Sequence, residues 1–247
     1  MNAFRKWRMG QMFLFLALGV TWLAVADPAV ADRKAAKEKA YLAAKAVVAT
    51  NTSMEAVAAL GRTCFDYADV EDAKDKKASI AQEGIDACEK ALQLNASSAV
   101  LHYYLAQDLG QLAQTKKLGA LKLLRQMEDH WQKALMLDAN LEHAGPDRSL
   151  GLLYQMAPGW PTSIGNNAKA RKHFEHAVEL APDFPENRLF LAEALLKWKE
   201  KTKAREALAA LKSIWDAAKQ KYAGPEWESD WADWTKRRKA LESSLGE

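Results

Sequence analysis

The amino-acid sequence predicts an all-α protein: a solenoid of stacked helical hairpins, closed at its C-terminal end by a capping helix and preceded by a signal peptide. Three observations predict it. Only 12 Gly and 7 Pro serve 247 residues, too few for an all-β fold, which needs a turn every ten or so residues. Beyond Asp32 apolar residues recur at the 3.6-residue helical period, segment after segment. One order of small, aromatic and small residues then returns along the chain, which a generic helical bundle has no reason to do. With 49% hydrophobic and 27% charged residues the chain carries enough apolar surface for a folded core, which excludes disorder.

The first element is read as an export signal. Met1 to Gln11 hold Arg5, Lys6 and Arg8 and no acid, and Met12 to Ala26 contain no charge. Ala24-Val25-Ala26 and Ala29-Val30-Ala31 are two small-x-small cleavage sites, and cleavage after Ala31 is preferred because Asp32 opens a solvated helical stretch. The apolar run is shorter than the roughly 20 residues that cross a bilayer, so no membrane span is expected after cleavage. No Cys lies near the site, so a lipid anchor is not expected either. The domain layout is therefore residues 1–31 as signal peptide and 32–247 as a single helical domain, periplasmic or secreted.

Ten helices follow: 32–49, 53–69, 75–94, 98–114, 118–137, 146–156, 167–180, 186–199, 202–221 and 226–244. Asn51-Thr52-Ser53, Asn95 to Ser98, Pro146, Pro182 to Pro185 and Gly224-Pro225 stand where helix starts and stops are expected. Cys64 lies near the end of its helix and Cys88 several turns into the next. Facing residues of a tight hairpin are equally far from the turn, so two buried free thiols are expected rather than a disulfide.

The repeat sits in the second helix of each hairpin. Ala170, Phe174, Ala177 and Pro182 fit A-x3-F-x2-A-x4-P, which is similar to the second half of a tetratricopeptide unit. Gly84, Cys88 and Ala91 fit the same frame, as do Met127, Trp131 and Ala134, and more loosely Ala204, Leu208 and Leu211. First helices follow in register at Leu105, Ala106 and Leu109, at Leu150, Gly151 and Tyr154, and at Leu191, Ala192 and Leu195. Successive units start 43, 43 and 34 residues apart, so two of them exceed the standard 34.

The surplus of the second long interval is concentrated in Ala157-Pro-Gly-Trp-Pro-Thr-Ser-Ile-Gly165, between the two helices of one repeat. Long loops in compact domains tend to carry function. Together with Ala144-Gly-Pro-Asp-Arg-Ser-Leu-Gly-Leu-Leu-Tyr154, this block resembles the TRAP transporter T-component family, over about residues 84–211. The resemblance implies an all-helical periplasmic protein that associates with a transporter's substrate-binding partner and holds an apolar ligand itself. The chain departs from that family in lacking a lipidated cysteine.

Catalytic chemistry is not expected. G-x-S-x-G, H-E-x-x-H and G-x4-G-K-[ST] are all absent from the sequence, so an enzyme and a cofactor are excluded from the reading. His173 and His176 lie three apart with Glu179 nearby, but a solvated polar face is the commoner meaning and no metal is expected. His102, His130 and His143 read as packing or surface histidines. A net charge of +3 without clustering excludes a nucleic-acid partner. Asp147 and Arg148 invite a charge-assisted pair, or an acid on the helix dipole.

Aromatic residues remain. Trp227, Trp231 and Trp234 share one helical stripe, either a structural cap or a surface that stacks glycans such as peptidoglycan. Trp160 is held between Gly159 and Pro161; it either tucks into the concave face or is presented to a partner, and packing is the more ordinary outcome. The expected function is a binding or scaffolding module that engages a protein partner through its concave face. The alternative is a carrier of a small apolar ligand in a pocket lined by Tyr103, Tyr104, Tyr154 and Trp160. The candidate binding residues are thus Tyr103, Tyr104, Tyr154, Pro158, Trp160, Pro161 and Gly165.

Overall fold

The structure is a computed structural model that describes residues 28–116 and 119–247. The signal-peptide reading falls mainly on residues 1–27, outside the described ones. Ten α-helices and no β-strand occur among the described residues: α1 (Pro28–Val48), α2 (Met54–Val70), α3 (Lys74–Leu94), α4 (Ala99–Thr115), α5 (Ala120–Leu137), α6 (Gly145–Met156), α7 (Asn167–Leu180), α8 (Pro185–Lys197), α9 (Lys201–Lys221) and α10 (Pro225–Leu245).

The helix starts have local causes. Ser53, Ser98 and Asn166 each cap a helix by accepting the backbone N–H of the residue three positions on. Pro146, Pro185 and Pro225 occupy first-turn positions, where the missing N–H costs nothing. Two expected boundaries are corrected. α1 begins at Pro28, so the preferred cleavage point after Ala31 lies inside this helix. α8 stops at Lys197 rather than 199, because Lys199 turns left-handed at φ 65°.

Among the described residues, those up to His130 form one compact unit and residues 131–247 a second. In the first, α2 packs on α1 and α3, and α4 packs on both α2 and α3. Small residues let these helices approach. A Cβ on Gly61 would sit 2.8 Å from Cys88 Sγ, and one on Gly84 would sit 2.8 Å from Cys64 Cβ. Both cysteines are free and completely buried, as the offset positions along the hairpin implied. Every residue of α4 from Leu101 to Ala113 is buried, Gln107, Asp108 and Gln111 included.

In the second unit α6, α7, α8, α9 and α10 pack in sequence, with α8 also meeting α6 and α10. Neighbour and next-neighbour packing of this kind is what stacked hairpins produce. The repeat frame marks the core: Ala170, Phe174, Ala177, Ala204, Leu208 and Leu211 are all buried. Gly151 on α6 explains the spacing, since a Cβ there would meet the Phe174 ring at 2.6 Å. The C-terminal end closes on aromatics, with Phe184 surrounded by His143, Tyr222, Trp227 and Trp234 at ring separations of 4.4 to 6.1 Å.

Candidate functional site

The inserted loop is ordered by its own backbone. Gly165 N–H donates to Pro158 O at 2.8 Å, and Asn166 N–H donates to Tyr154 O at 2.8 Å, which closes the loop at its base. Inside it, the amides of Thr162 and Ser163 both donate to Gly159 O, at 3.0 and 3.2 Å. The Trp160–Pro161 peptide is cis. Gly165 is required by this closure, because a Cβ there would lie within 3 Å of the Ala157 and Pro158 carbonyl groups.

This closed loop presents its indole. Trp160 is 89% exposed, so the expected tucking of the ring does not occur, and a side chain this open is not the lid of a closed pocket. Pro158 and Pro161 are exposed beside it and Gly165 is half-buried. Tyr154, an anticipated pocket wall, and Phe174 on the following helix are core residues at 1% exposure each. Tyr154 accepts a hydrogen bond from Gln132 Nε2 at 3.2 Å and stacks on His173 at 5.5 Å. In the other unit Tyr103 and Tyr104 are buried with their rings edge-on at 5.2 Å. A ligand could reach any of these three tyrosines only if the helices covering it moved.

Below the loop, α6 and α7 are joined by hydrogen bonds. Asp147 Oδ1 accepts from His173 Nδ1 and Asp147 Oδ2 from His176 Nδ1, each at 2.7 Å, and the carboxylate itself is buried. The i, i+3 spacing of these histidines had suggested a solvated face. Their partner is this acid on the preceding helix, invisible in the sequence because it lies 26 and 29 residues away. No group of three potential ligands that could hold a metal occurs among the described residues.

Arg148 does not pair with Asp147. Its guanidinium is buried and turns to the chain just upstream, where Glu142, His143 and Ala144 are consecutively left-handed at φ 49°, 56° and 62°. Nη1 donates to His143 O at 3.0 Å and to Asn187 Oδ1 at 2.7 Å, and Nη2 donates to Glu142 O at 3.1 Å. Glu186 lies 3.3 Å from Nε. Nothing in the sequence signalled this turn, which contains no glycine before Gly145.

Two further readings come out on their more ordinary side. Trp227 and Trp234 are buried in the terminal aromatic cluster, so the stripe is a structural cap and not a three-ring stacking surface. His102 and His130 pack against each other: their Nδ1 atoms meet at 2.8 Å, while His102 Nε2 lies 3.0 Å from Ala96 O.

Comparison with known proteins adds three findings. A family described as tetratricopeptide repeat matches residues 165–214. A family described as regulator of microtubule dynamics protein 1-3 matches residues 22–144. The crystal structure of MamA superposes with a TM-score of 0.52 at 21% identity, covering 76% of this chain and 94% of MamA. At that identity the likeness is one of fold. No curated protein matches the chain.

Proposed function

We propose that this tetratricopeptide-type helical-repeat protein is a scaffold that docks a protein partner on the loop from Pro158 to Gly165, with Trp160 as the central anchor. One observation carries the reading: a large apolar side chain that folding would ordinarily bury stands 89% exposed on a loop closed by its own hydrogen bonds. Burying an indole removes roughly 150–250 Å² from water, and tryptophan is enriched among the residues that dominate interfaces. A loop ordered before binding also loses little freedom on docking.

The finer reading places the protein outside the inner membrane of a bacterium, as an accessory of a periplasmic transport system whose substrate-binding component is the partner. Its support is the charged and apolar N-terminal segment and the L-G-x2-Y-x2-A-P-G-W-P-x3-G block. Export is checked by N-terminal sequencing of protein released by osmotic shock, with Asp32 expected as the first residue and an intact Met1 on cytoplasmic protein as the contrary result.

The docking test compares wild type with Trp160→Ala. Affinity capture from periplasmic extract identifies the partner, and titration of that purified protein measures the difference. The variant should keep its thermal stability within about 0.5 kcal/mol, as exposed substitutions do, and lose about 2 kcal/mol or more of binding. Unchanged affinity would remove Trp160 from the interface.

A further inference from the structure

The tryptophan stripe leaves one ring without a complete covering. Trp231 is half-buried, while its neighbours Trp227 and Trp234 are in the core. It forms one wall of a solvent-open cavity of about 370 Å³ between the end of α9 and the start of α10. The other walls are Lys219, Ala223, Gly224, Pro225 and Glu228. That volume lies at the small end of ligand sites and admits a single-ring molecule.

Three features make this a defined surface. First, the indole is fixed in place: Trp215 and Trp234 stand edge-on to it at 5.1 and 4.9 Å. Second, its Nε1–H is spent on Tyr222 O at 2.6 Å, so the indole offers a ligand no free donor and meets it through apolar ring atoms alone. Third, the two charged walls come from different helices, Lys219 from α9 and Glu228 from α10, and neither has an ion-pair partner among the described residues.

The chemistry of the walls selects the ligand. A purely apolar molecule would strip water from an ammonium and a carboxylate without replacing it, which is costly. An anion would meet Glu228, and a cation would meet Lys219. A neutral ring bearing hydroxyls suits both, because each hydroxyl can accept from the ammonium or donate to the carboxylate, while axial C–H groups lie on the indole. We propose that this cavity is a subsite for one pyranose ring, stacked on Trp231 and hydrogen-bonded through its hydroxyls to Lys219 and Glu228. The site lies on helices other than those that carry the Trp160 loop, and it stands or falls separately from the docking reading.

Saturation-transfer NMR and calorimetry on the whole protein test it, with methyl β-D-glucopyranoside and N-acetylglucosamine as probes and L-phenylalanine as the zwitterionic comparison. At least one sugar should bind saturably, one per chain, with transfer strongest to the ring C–H protons. Lys219→Ala and Glu228→Gln should each weaken that binding at least about five-fold, as loss of a hydrogen bond to a charged group does. Both residues are exposed, so the melting temperature should not move. Trp231→Phe, which keeps an aromatic ring in the cluster, should also weaken binding. Absence of saturable sugar binding would overturn the proposal. So would binding that survives the Lys219→Ala/Glu228→Gln double variant, or L-phenylalanine binding more tightly than either sugar in a manner sensitive to the same substitutions.

Discussion

Arg148 organises more of the C-terminal unit than any other single side chain described above. Its five donors are fixed in one plane, and that fork spans two carbonyls of a left-handed turn and the Asn187 amide at once. Asn187 completes the arrangement by donating from Nδ2 to His143 O and Ala177 O, at 3.1 and 2.9 Å. Three consecutive left-handed residues with side chains are each unfavourable, and such backbone persists only where its surroundings over-determine it. Lysine cannot replace the fork, since a compact ammonium lacks the planar set of donors that reaches these acceptors together, and Glu186 would then depend on Arg237, 3.6 Å away. Arg148→Lys should therefore destabilise the fold by about 3 kcal/mol or more, measured by chemical denaturation. A loss under about 1 kcal/mol would show that the turn holds itself. Sequence reading named Asp147 and Arg148 as a pair because they are adjacent. Adjacent helical residues point about 100° apart, so each found its partner on a different neighbour, and that geometry exists only after the chain has folded.

Among the helices, what was legible is what repeats. Ala170, Phe174 and Ala177 were marked as core because their order recurs, and Gly151 supplies the reason: it leaves room for the Phe174 ring between α6 and α7. Gly151→Ala should cost about 1–3 kcal/mol by overpacking, read as a lower melting temperature, and Phe174→Leu in the same chain should recover part of it. No recovery would mean that the contact is not what fixes the helix spacing. The inserted loop was legible as an element because its length exceeds what a hairpin turn needs. The orientation of its indole was not, since Pro and Gly around Trp160 constrain the backbone without saying which way the side chain points. The terminal cap was legible in its helical period, and burial chose between its two meanings.

Taken as a whole molecule, the chain places two acids whose pKa burial raises in the unit that precedes Trp131. Neither carboxylate oxygen of Asp108 has a hydrogen-bond partner among the described residues, and burial pushes this acid well above the usual carboxylate range. Burial also pushes Asp69 up to about 7, against the opposing pull of Lys77 and the Gln111 amide. A carboxyl whose folded pKa is raised keeps its proton in the native state after the unfolded chain has released it. Stability is then greatest below the ordinary carboxylate range and is lost as pH climbs through about 7. The denaturation midpoint should fall between pH 6 and pH 8, and the Asp69→Asn/Asp108→Asn double variant should show a flatter profile. An equal slope in the two proteins would remove these acids from the account. Helix number, order and repeat register were all open to sequence reading because they follow from periodicity. These acids were not: Asp108 lies on α4, which is buried on every side while periodicity reports only faces that differ, and Asp69 on α2 meets Gln111 and Lys77 only once α3 and α4 have packed.

The exposure of Trp160 has an optical side. Of the described tryptophans it is the most open to water, while Trp131, Trp227 and Trp234 lie in the core and Trp198, Trp215 and Trp231 are at least partly covered. An indole in water emits at longer wavelength than one in a protein interior and is reached by iodide. Among the described tryptophans, Trp160 should therefore give the red-shifted component that iodide extinguishes first and that Trp160→Phe deletes. Anything that seats on the loop will turn that component blue and shield it, so the molecule carries its own binding dye at the position where occupancy is to be measured.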